Sequence, residues 1–178
     1  MKKTHKDSAN IFIRYLIMVL VAIPNFWLFY LVFTPLTIYP VYFIMNFFFD
    51  SILIGNVIII NNEIPIEIIK ACIAGSAYYL LLVLNLSTPK INLEKRIKMI
   101  FLAFSSLLAF NIFRIVLLST IFLEGFSIFV IAHQFFWYFI STIFVVLIWF
   151  SEVKIFRIKE MPFYSDFKFL YKHSFLKK

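Results

Sequence analysis

Long apolar runs separated by short polar stretches dominate the hydrophobic pattern of this chain. A helix needs about 20 mostly apolar residues to cross a bilayer. Four runs reach or approach that length, at residues 11–33, 71–86, 99–123 and 126–150. The pattern therefore predicts an all-α integral membrane protein, a compact bundle of four to five transmembrane helices forming a single domain.

The second quarter of the chain follows a different pattern. Residues 35–55 are apolar but contain two prolines, Asn46 and Asp50, which favours an interfacial or re-entrant helix that does not cross. Residues 56–69 are rich in β-branched side chains and are split by a polar Asn-Asn-Glu turn, which predicts a short hairpin or extended segment. Strands exposed to lipid would leave backbone groups unpaired, so this segment is expected on the extracytoplasmic side, outside the hydrocarbon.

The basic residues predict the topology. Lys and Arg are concentrated at the N-terminus, in the loop from Lys90 to Lys98 and in the tail after Lys154, as expected of cytoplasmic flanks. All three basic segments lie on one side of the membrane if the chain crosses an even number of times between each pair of them. This holds if residues 35–55 do not cross the membrane. If they do cross, the sidedness of the site inverts. The resulting division is a cytoplasmic N-terminus (1–10), a retained signal-anchor helix (11–33), an interfacial or extracytoplasmic segment (35–70), a three-helix catalytic core (71–150) and a basic cytoplasmic tail (151–178).

Composition and charge narrow the functional class. Hydrophobic residues make up 63% of the chain and charged residues 15%, too apolar for a soluble domain wrapped in polar side chains. The net charge of +8 would suit binding to nucleic acid, but the basic residues lie where a membrane topology requires them. We therefore expect membrane lipids as partners and no nucleic acid. The single cysteine rules out an intramolecular disulfide bond.

Three polar residues within the apolar runs are candidates for chemistry, because ionisable groups inside membrane helices are costly. Cys72 stands at the start of one helix, and Arg114 and His133 lie within the next two. Each is 16 to 21 residues from the basic flank of its own helix. At 1.5 Å per residue, this puts all three roughly 24 to 32 Å above the inner surface, at the outer membrane boundary.

These residue types suit acyl transfer through a thioester. A cysteine at a helix N-terminus is activated by the helix dipole, a histidine exchanges the proton, and an arginine stabilises an oxyanion. Each also has a structural interpretation: Cys72 as an inert small hydrophobe, His133 as a hydrogen-bonded bundle residue, and Arg114 as a snorkelling side chain or a partner of Glu124. One cysteine and one buried histidine supply too few ligands for a metal, and no cofactor is expected.

At these positions the chain resembles the exosortase/archaeosortase family. Three motifs carry the resemblance: Ala71-Cys-Ile-Ala-Gly-Ser76, Asn111-Ile-Phe-Arg-Ile115, and His133 followed by Phe135-Phe-Trp-Tyr138. They occur in the family's order within residues 35–150, and the short chain is similar to the smaller archaeosortase-type members. One departure is that Ile73 and Ala74 follow the cysteine, where most of the family has Ser or Thr and then Gly.

The resemblance implies a membrane cysteine transpeptidase of the cell membrane whose active site is extracytoplasmic. Its partners would be secreted proteins that end in a sorting signal (a short motif, a hydrophobic helix and a basic end) and a lipid acceptor. Cys72 would be the nucleophile, His133 the acid and base, and Arg114 the oxyanion stabiliser. Asn111 would orient the guanidinium or the substrate, or form a plain interhelical hydrogen bond. Two alternatives remain open: a non-enzymatic assembly or secretion helper, and a protease that hydrolyses rather than transfers.

Overall fold

The computed structural model describes residues 2–23, 26–159, 162 and 164, so most of the predicted tail at 151–178 lies outside the described residues. The described chain is mostly helical, with one small sheet. Its elements are α1 (Lys2–Ala22), α2 (Trp27–Phe48), β1 (Ser51–Ile54), β2 (Val57–Ile60), β3 (Ile64–Glu67), α3 (Lys70–Ile73), α4 (Gly75–Ser87), α5 (Leu93–Glu124), α6 (Phe126–Phe135), a π-helical turn (Phe136–Ile140) and α7 (Ser141–Ile155).

Four helical segments are long and apolar enough to cross a membrane: Trp27–Phe48, Lys70–Ser87, Leu93–Glu124 and Ser127–Ile155. Large apolar side chains such as Phe47 point outward from the bundle. Such a surface is stable in lipid, whereas water would disfavour it. The predicted class, a bundle of membrane helices, is therefore confirmed at this level, with a three-stranded sheet in addition.

The single N-terminal helix predicted over residues 11–33 is wrong. The first helix ends at Ala22 and the second begins at Trp27. Pro24 lies in the sequence between them, and a proline removes a helical hydrogen bond and clashes with the preceding turn. Phe26 then adopts a left-handed conformation, with φ of 59°, immediately before α2.

The boundary predicted near residue 35 is wrong as well. Pro35 and Pro40 lie inside α2, which continues to Phe48 as one helix of 22 residues. Prolines are tolerated in such apolar helices because neighbouring groups take over the freed backbone hydrogen bonds. Asn46 then ties the end of α2 to the sheet, because its side-chain oxygen accepts a hydrogen bond from the Ser51 N–H at 3.3 Å.

The extended segment predicted at residues 56–69 is confirmed, and the sheet begins earlier than predicted. Three antiparallel strands form in the order β1-β2-β3, with β1 starting at Ser51. Gly55 adopts a positive φ of 63° in the first turn, a conformation that costs glycine little. Ile58 and Ile60 of β2 are buried in the main core, so the sheet covers one end of the helices.

Contacts with α4 show that α1 and α2 run in the same direction, antiparallel to α4. Arg14 of α1 donates a hydrogen bond to the carbonyl of Leu86 at 2.8 Å, near the end of α4. Further along, Phe26 contacts Tyr79, with ring centroids 5.0 Å apart. Tyr30 then packs against Gly75 at the start of α4. The two N-terminal helices thus follow α4 along its length despite the break between them.

The end of α4 gathers several charged and polar groups. Arg96 of α5 donates to the carbonyls of Asn85, Leu86 and Thr88 at 2.8–2.9 Å. The Asn85 amide donates to buried Glu152 of α7 at 3.1 Å. The start of α5 and the end of α7 therefore lie at the same end of the bundle as Arg14.

Helix α5 begins before the predicted apolar run at residue 99. The Asn92 side chain accepts a hydrogen bond from the Lys95 N–H at 3.1 Å and caps the helix. Helix α5 therefore takes in the basic segment from Leu93 onward and ends at Glu124, beside the Gly125 at which the predicted break occurs.

Candidate active site

Cys72 lies in α3, a single helical turn that precedes the long helix α4. Ala74 between them is left-handed, with φ of 58°. The Cys72 N–H donates to the carbonyl of Ile69 at 2.8 Å, so it is not among the free N–H groups of a helix start. The sequence correctly placed Cys72 near the start of a helical segment, but it lies before the helix break rather than on the long helix.

Gly75 makes the break compatible with close packing of α2. A Cβ atom at this position would come within 2.8 Å of the Tyr30 ring. Lys70 lies over the same ring, 5.6 Å from its centroid. Glycine is therefore required for the present position of Tyr30, which closes one side of the turn that carries Cys72.

The Asn-x-x-Arg motif of α5 binds the backbone of this broken helix. Asn111 donates from Nδ2 to the carbonyl oxygen of Ile73 at 3.0 Å. Arg114 donates from Nη2 to the carbonyl oxygen of Cys72, also at 3.0 Å. Both side chains are buried. They satisfy two carbonyl oxygens that the helix break deprives of helical partners, so Asn111 makes the interhelical hydrogen bond that was one of its two predicted roles.

Arg114 also binds the opposite wall of the site. Its Nη1 donates to Ser141 Oγ at 2.9 Å, and Ser141 Oγ donates to the carbonyl of Phe136 at 2.8 Å. Phe136 opens the π-helical turn, an irregularity often found at functional sites. These two bonds use two of the five guanidinium N–H donors. Within the described residues Arg114 forms no ion pair with Glu124.

His133 reaches the site from α6. Its imidazole lies between two aromatic rings, with centroid distances of 5.4 Å to Phe129 and 6.0 Å to Trp137. Among the described residues, no hydrogen bond reaches either imidazole nitrogen. The interpretation of His133 as a hydrogen-bonded bundle residue therefore finds no partner in this part of the chain.

Cys72, Arg114 and His133 line one cavity of about 250 Å³. They come from α3, α5 and α6, so the fold brings the three predicted residues to the lining of one cavity although they are far apart in sequence. Asn111 does not line the cavity. The remaining walls are mostly apolar and come from the β3 segment, α5, α6 and the π-helical turn: Pro65, Ile66, Glu67, Ile68, Ile69, Ile115, Leu118, Ser119, Phe122, Phe129, Phe136 and Trp137.

Sequence reasoning missed Ser141, and it missed that the extended segment at residues 56–69 forms a wall of the cavity. Ser141 is one small polar residue in an apolar run, and only the fold shows that it faces Arg114. Within the described residues, no group of three His, Cys, Asp or Glu side chains is arranged to hold a metal ion. Comparison with protein-family models, with curated proteins and with solved structures finds no match for this chain.

Proposed function

We propose that this protein is a membrane-embedded cysteine transpeptidase that cleaves a C-terminal sorting signal from secreted proteins. The observation that carries the proposal is that a thiol, a guanidinium and an imidazole line one cavity. The resemblance of the three motifs to the exosortase/archaeosortase family gives the substrate class. The cleavage site of the substrate would come just before its hydrophobic helix in the sequence, so that helix would hold the site at the membrane boundary.

The length of α5 supports a site at that boundary. Its 32 residues extend about 48 Å, whereas the hydrocarbon core is about 30 Å thick. The charged residues of its first two turns end at Lys98. A hydrocarbon core that begins there ends about 20 residues later, near Leu118. Arg114 then lies near the far boundary, and the positive-inside rule makes that side extracytoplasmic.

The reaction follows from the groups in the cavity. His133 takes the proton of the Cys72 thiol, and the sulfur attacks the scissile carbonyl carbon. The carbonyl oxygen gains negative charge, which a free N–H of Arg114 stabilises. The C–N bond then breaks, His133 returns the proton to the leaving amine, and a thioester on Cys72 remains. An acceptor nucleophile, such as a lipid amine, or water then attacks the thioester and frees the thiol.

The test is substitution of Cys72 with protein abundance monitored. Cys72→Ala and Cys72→Ser are expected to abolish processing of secreted proteins with a hydrophobic helix and basic end at their C-terminus. Both variants should accumulate normally, because the contacts of Arg114 and Asn111 go to main-chain carbonyls that remain. Full processing by both variants would refute the proposal. The mass of the product's new C-terminus distinguishes transfer from hydrolysis.

A non-enzymatic role is the competing proposal, and one observation favours it. Asn111 and Arg114 both donate hydrogen bonds to backbone carbonyls and so join α5 to α3 whether or not chemistry occurs. In that case the chain would be a membrane assembly or secretion helper. Cys72→Ala would then leave every cellular readout unchanged, whereas Arg114→Ala would lower the abundance of the protein.

A further inference from the structure

One edge of the sheet forms a wall of the cavity with unpaired backbone groups. The Asn61 N–H donates to the Asp50 carbonyl, so the odd-numbered residues of β2 bond to β1. The Ile68 N–H donates to the Asn56 carbonyl, so the even-numbered positions bond to β3. Hydrogen-bonded positions alternate along an antiparallel ladder. The backbone groups of residues 65, 67 and 69 therefore point away from β2.

The residues at these odd positions fit a free edge. Pro65 has no N–H to donate, and proline is tolerated in sheets mainly on edge strands. Among the described residues, no hydrogen bond reaches the main-chain N–H or C=O of Glu67. The Ile69 carbonyl accepts from the Cys72 N–H, and the Ile69 N–H, just beyond the end of β3, faces the Cys72 thiol. The edge thus offers the Pro65 carbonyl and the N–H and carbonyl of Glu67, and it leads directly to the residue whose N–H faces the Cys72 thiol.

We infer that the substrate backbone binds to the free edge of β3 as an added strand that leads its scissile carbonyl to Cys72. This inference rests on the proposed function, because it states how the substrate of that site is held. Residues Pro65 to Ile69 line the cavity together with Cys72, so a strand paired with this edge passes the thiol. Pairing places its backbone about 4.8 Å from β3.

An extended peptide is the occupant that these groups select. A helix satisfies its interior backbone groups itself and has none to give to the strand edge. A segment unwound for cleavage at the membrane boundary has the opposite need, because its N–H and C=O groups lose water and require partners. The β3 edge and the substrate would therefore satisfy each other, as in other cases of strand addition to a sheet edge. Side-chain identity would matter only at alternate positions.

Synthetic peptides that alkylate cysteine test this without a known substrate. The probe is a four-residue peptidyl chloromethyl ketone of alternating valine and threonine, applied to the full chain in lipid vesicles. Two further probes carry N-methyl groups on alternate amides. One probe is methylated on the odd-numbered amides and the other on the even-numbered amides. Only one set of amides faces β3, so one methylated probe should lose about tenfold in the alkylation rate of Cys72 for each blocked hydrogen bond. The other should react like the parent peptide.

A matched pair of variants tests the strand itself. Glu67→Pro removes the outward N–H without touching a bond to β2, whereas Glu67→Ala removes the same side chain and keeps that N–H. Glu67→Pro should react about tenfold more slowly with the parent peptide than Glu67→Ala. Both should react equally with chloroacetamide, which has no peptide backbone, and this equality shows that the two variants do not differ in fold or in the reactivity of the thiol.

The inference is overturned if both methylated probes react like the parent peptide on the unmodified protein, a result that does not depend on how any variant folds. Equal rates for Glu67→Pro and Glu67→Ala would also overturn it. Alkylation does not require cleavage or transfer. A methylation-dependent rate in a protein whose Cys72→Ser variant still processes secreted proteins would therefore support the strand site and refute the transpeptidase.

Discussion

The guanidinium of Arg114 donates a hydrogen bond to the main-chain carbonyl oxygen of Cys72 at 3.0 Å. A second bond from the same guanidinium reaches Ser141 at 2.9 Å. One side chain thus joins the turn that carries Cys72 to the start of α7, the helix that carries Ser141. Its fork geometry allows both bonds at once and leaves donors for a substrate oxygen.

Arg114→Lys is expected to impair both bonds although it preserves the charge. A lysine ammonium is a point charge and does not reproduce the planar fork, so either Cys72 or Ser141 loses its partner. Processing should fall by about 10²–10³-fold, as for other lost oxyanion donors. The matched control is Asn111→Ala, which does not line the cavity and should instead lower stability in detergent by about 1–3 kcal/mol. Equal losses of processing in the two variants would contradict this distinction.

His133→Gln is expected to slow the chemistry without unfolding the protein. Glutamine keeps hydrogen-bonding capacity in a half-buried position but neither accepts the thiol proton nor protonates the leaving amine. Processing should fall by about 10²–10⁴-fold, the usual contribution of a general acid and base. Alkylation of Cys72 by chloroacetamide at pH 7 should slow as well. Unchanged alkylation together with unchanged processing would remove His133 from the mechanism.

Gly75→Ala is expected to destabilise the turn that carries Cys72. The new methyl group would meet the Tyr30 ring at 2.8 Å, and overpacking of this kind costs about 1–3 kcal/mol. Combining it with Tyr30→Ala should recover most of that loss, which a double-mutant cycle of detergent melting curves would measure. Gly125→Ala is the control, because nothing lies within 4 Å of its added Cβ. Additive effects of the Gly75 and Tyr30 changes would show that the contact is not the cause.

Glu152 and Asn85 are expected to act as a structural pair at the opposite end of the bundle. One Glu152 oxygen accepts from the Asn85 amide, while the second oxygen and the Asn85 oxygen are buried without partners in the described residues. Glu152→Gln supplies an N–H donor for the Asn85 oxygen, so the melting temperature should stay the same or rise. Glu152→Leu removes the carboxylate partner and leaves the Asn85 amide only its bond to the Leu81 carbonyl, at 3.0 Å, so it should cost about 1–3 kcal/mol. A lower melting temperature for Glu152→Gln than for Glu152→Leu would refute the pairing.

Labelling with a membrane-impermeant thiol reagent tests the sidedness. Cys72 is the only cysteine, so intact cells report its accessibility directly. In a Cys72→Ser background, Ser127→Cys and Asn92→Cys place a thiol at exposed positions near the two ends of α5. Label is expected at Cys72 and Ser127→Cys in intact cells, and at Asn92→Cys only after the cells are opened. The reverse pattern would place the site in the cytoplasm.

The periodicity and charge of the sequence were sufficient to predict the membrane class and the last three long helices. Apolar runs near the length of a bilayer leave the chain few alternatives, because every backbone group in lipid must be paired within a helix. The β-branched segment likewise predicted β2 and β3, but not β1, which lies within residues predicted to form an interfacial helix. The predicted boundaries of the N-terminal helices were wrong. The first helix ends shortly before Pro24 in the sequence, whereas Pro35 and Pro40 lie inside the second helix. Local sequence does not distinguish these outcomes.

The meeting of the three polar residues required the tertiary structure. Helix rise predicted that Cys72, Arg114 and His133 lie at similar heights, but height does not determine the direction in which each side chain points. That direction depends on how each helix is rotated about its axis. Arg114 of α5 donates to the Cys72 carbonyl and to the Ser141 hydroxyl of α7, and neither acceptor stands out in the sequence. For the free edge of β3 the only local signal was Pro65, and the outward direction of the Glu67 backbone groups had none, because hydrogen-bond parity exists only once the strands have paired.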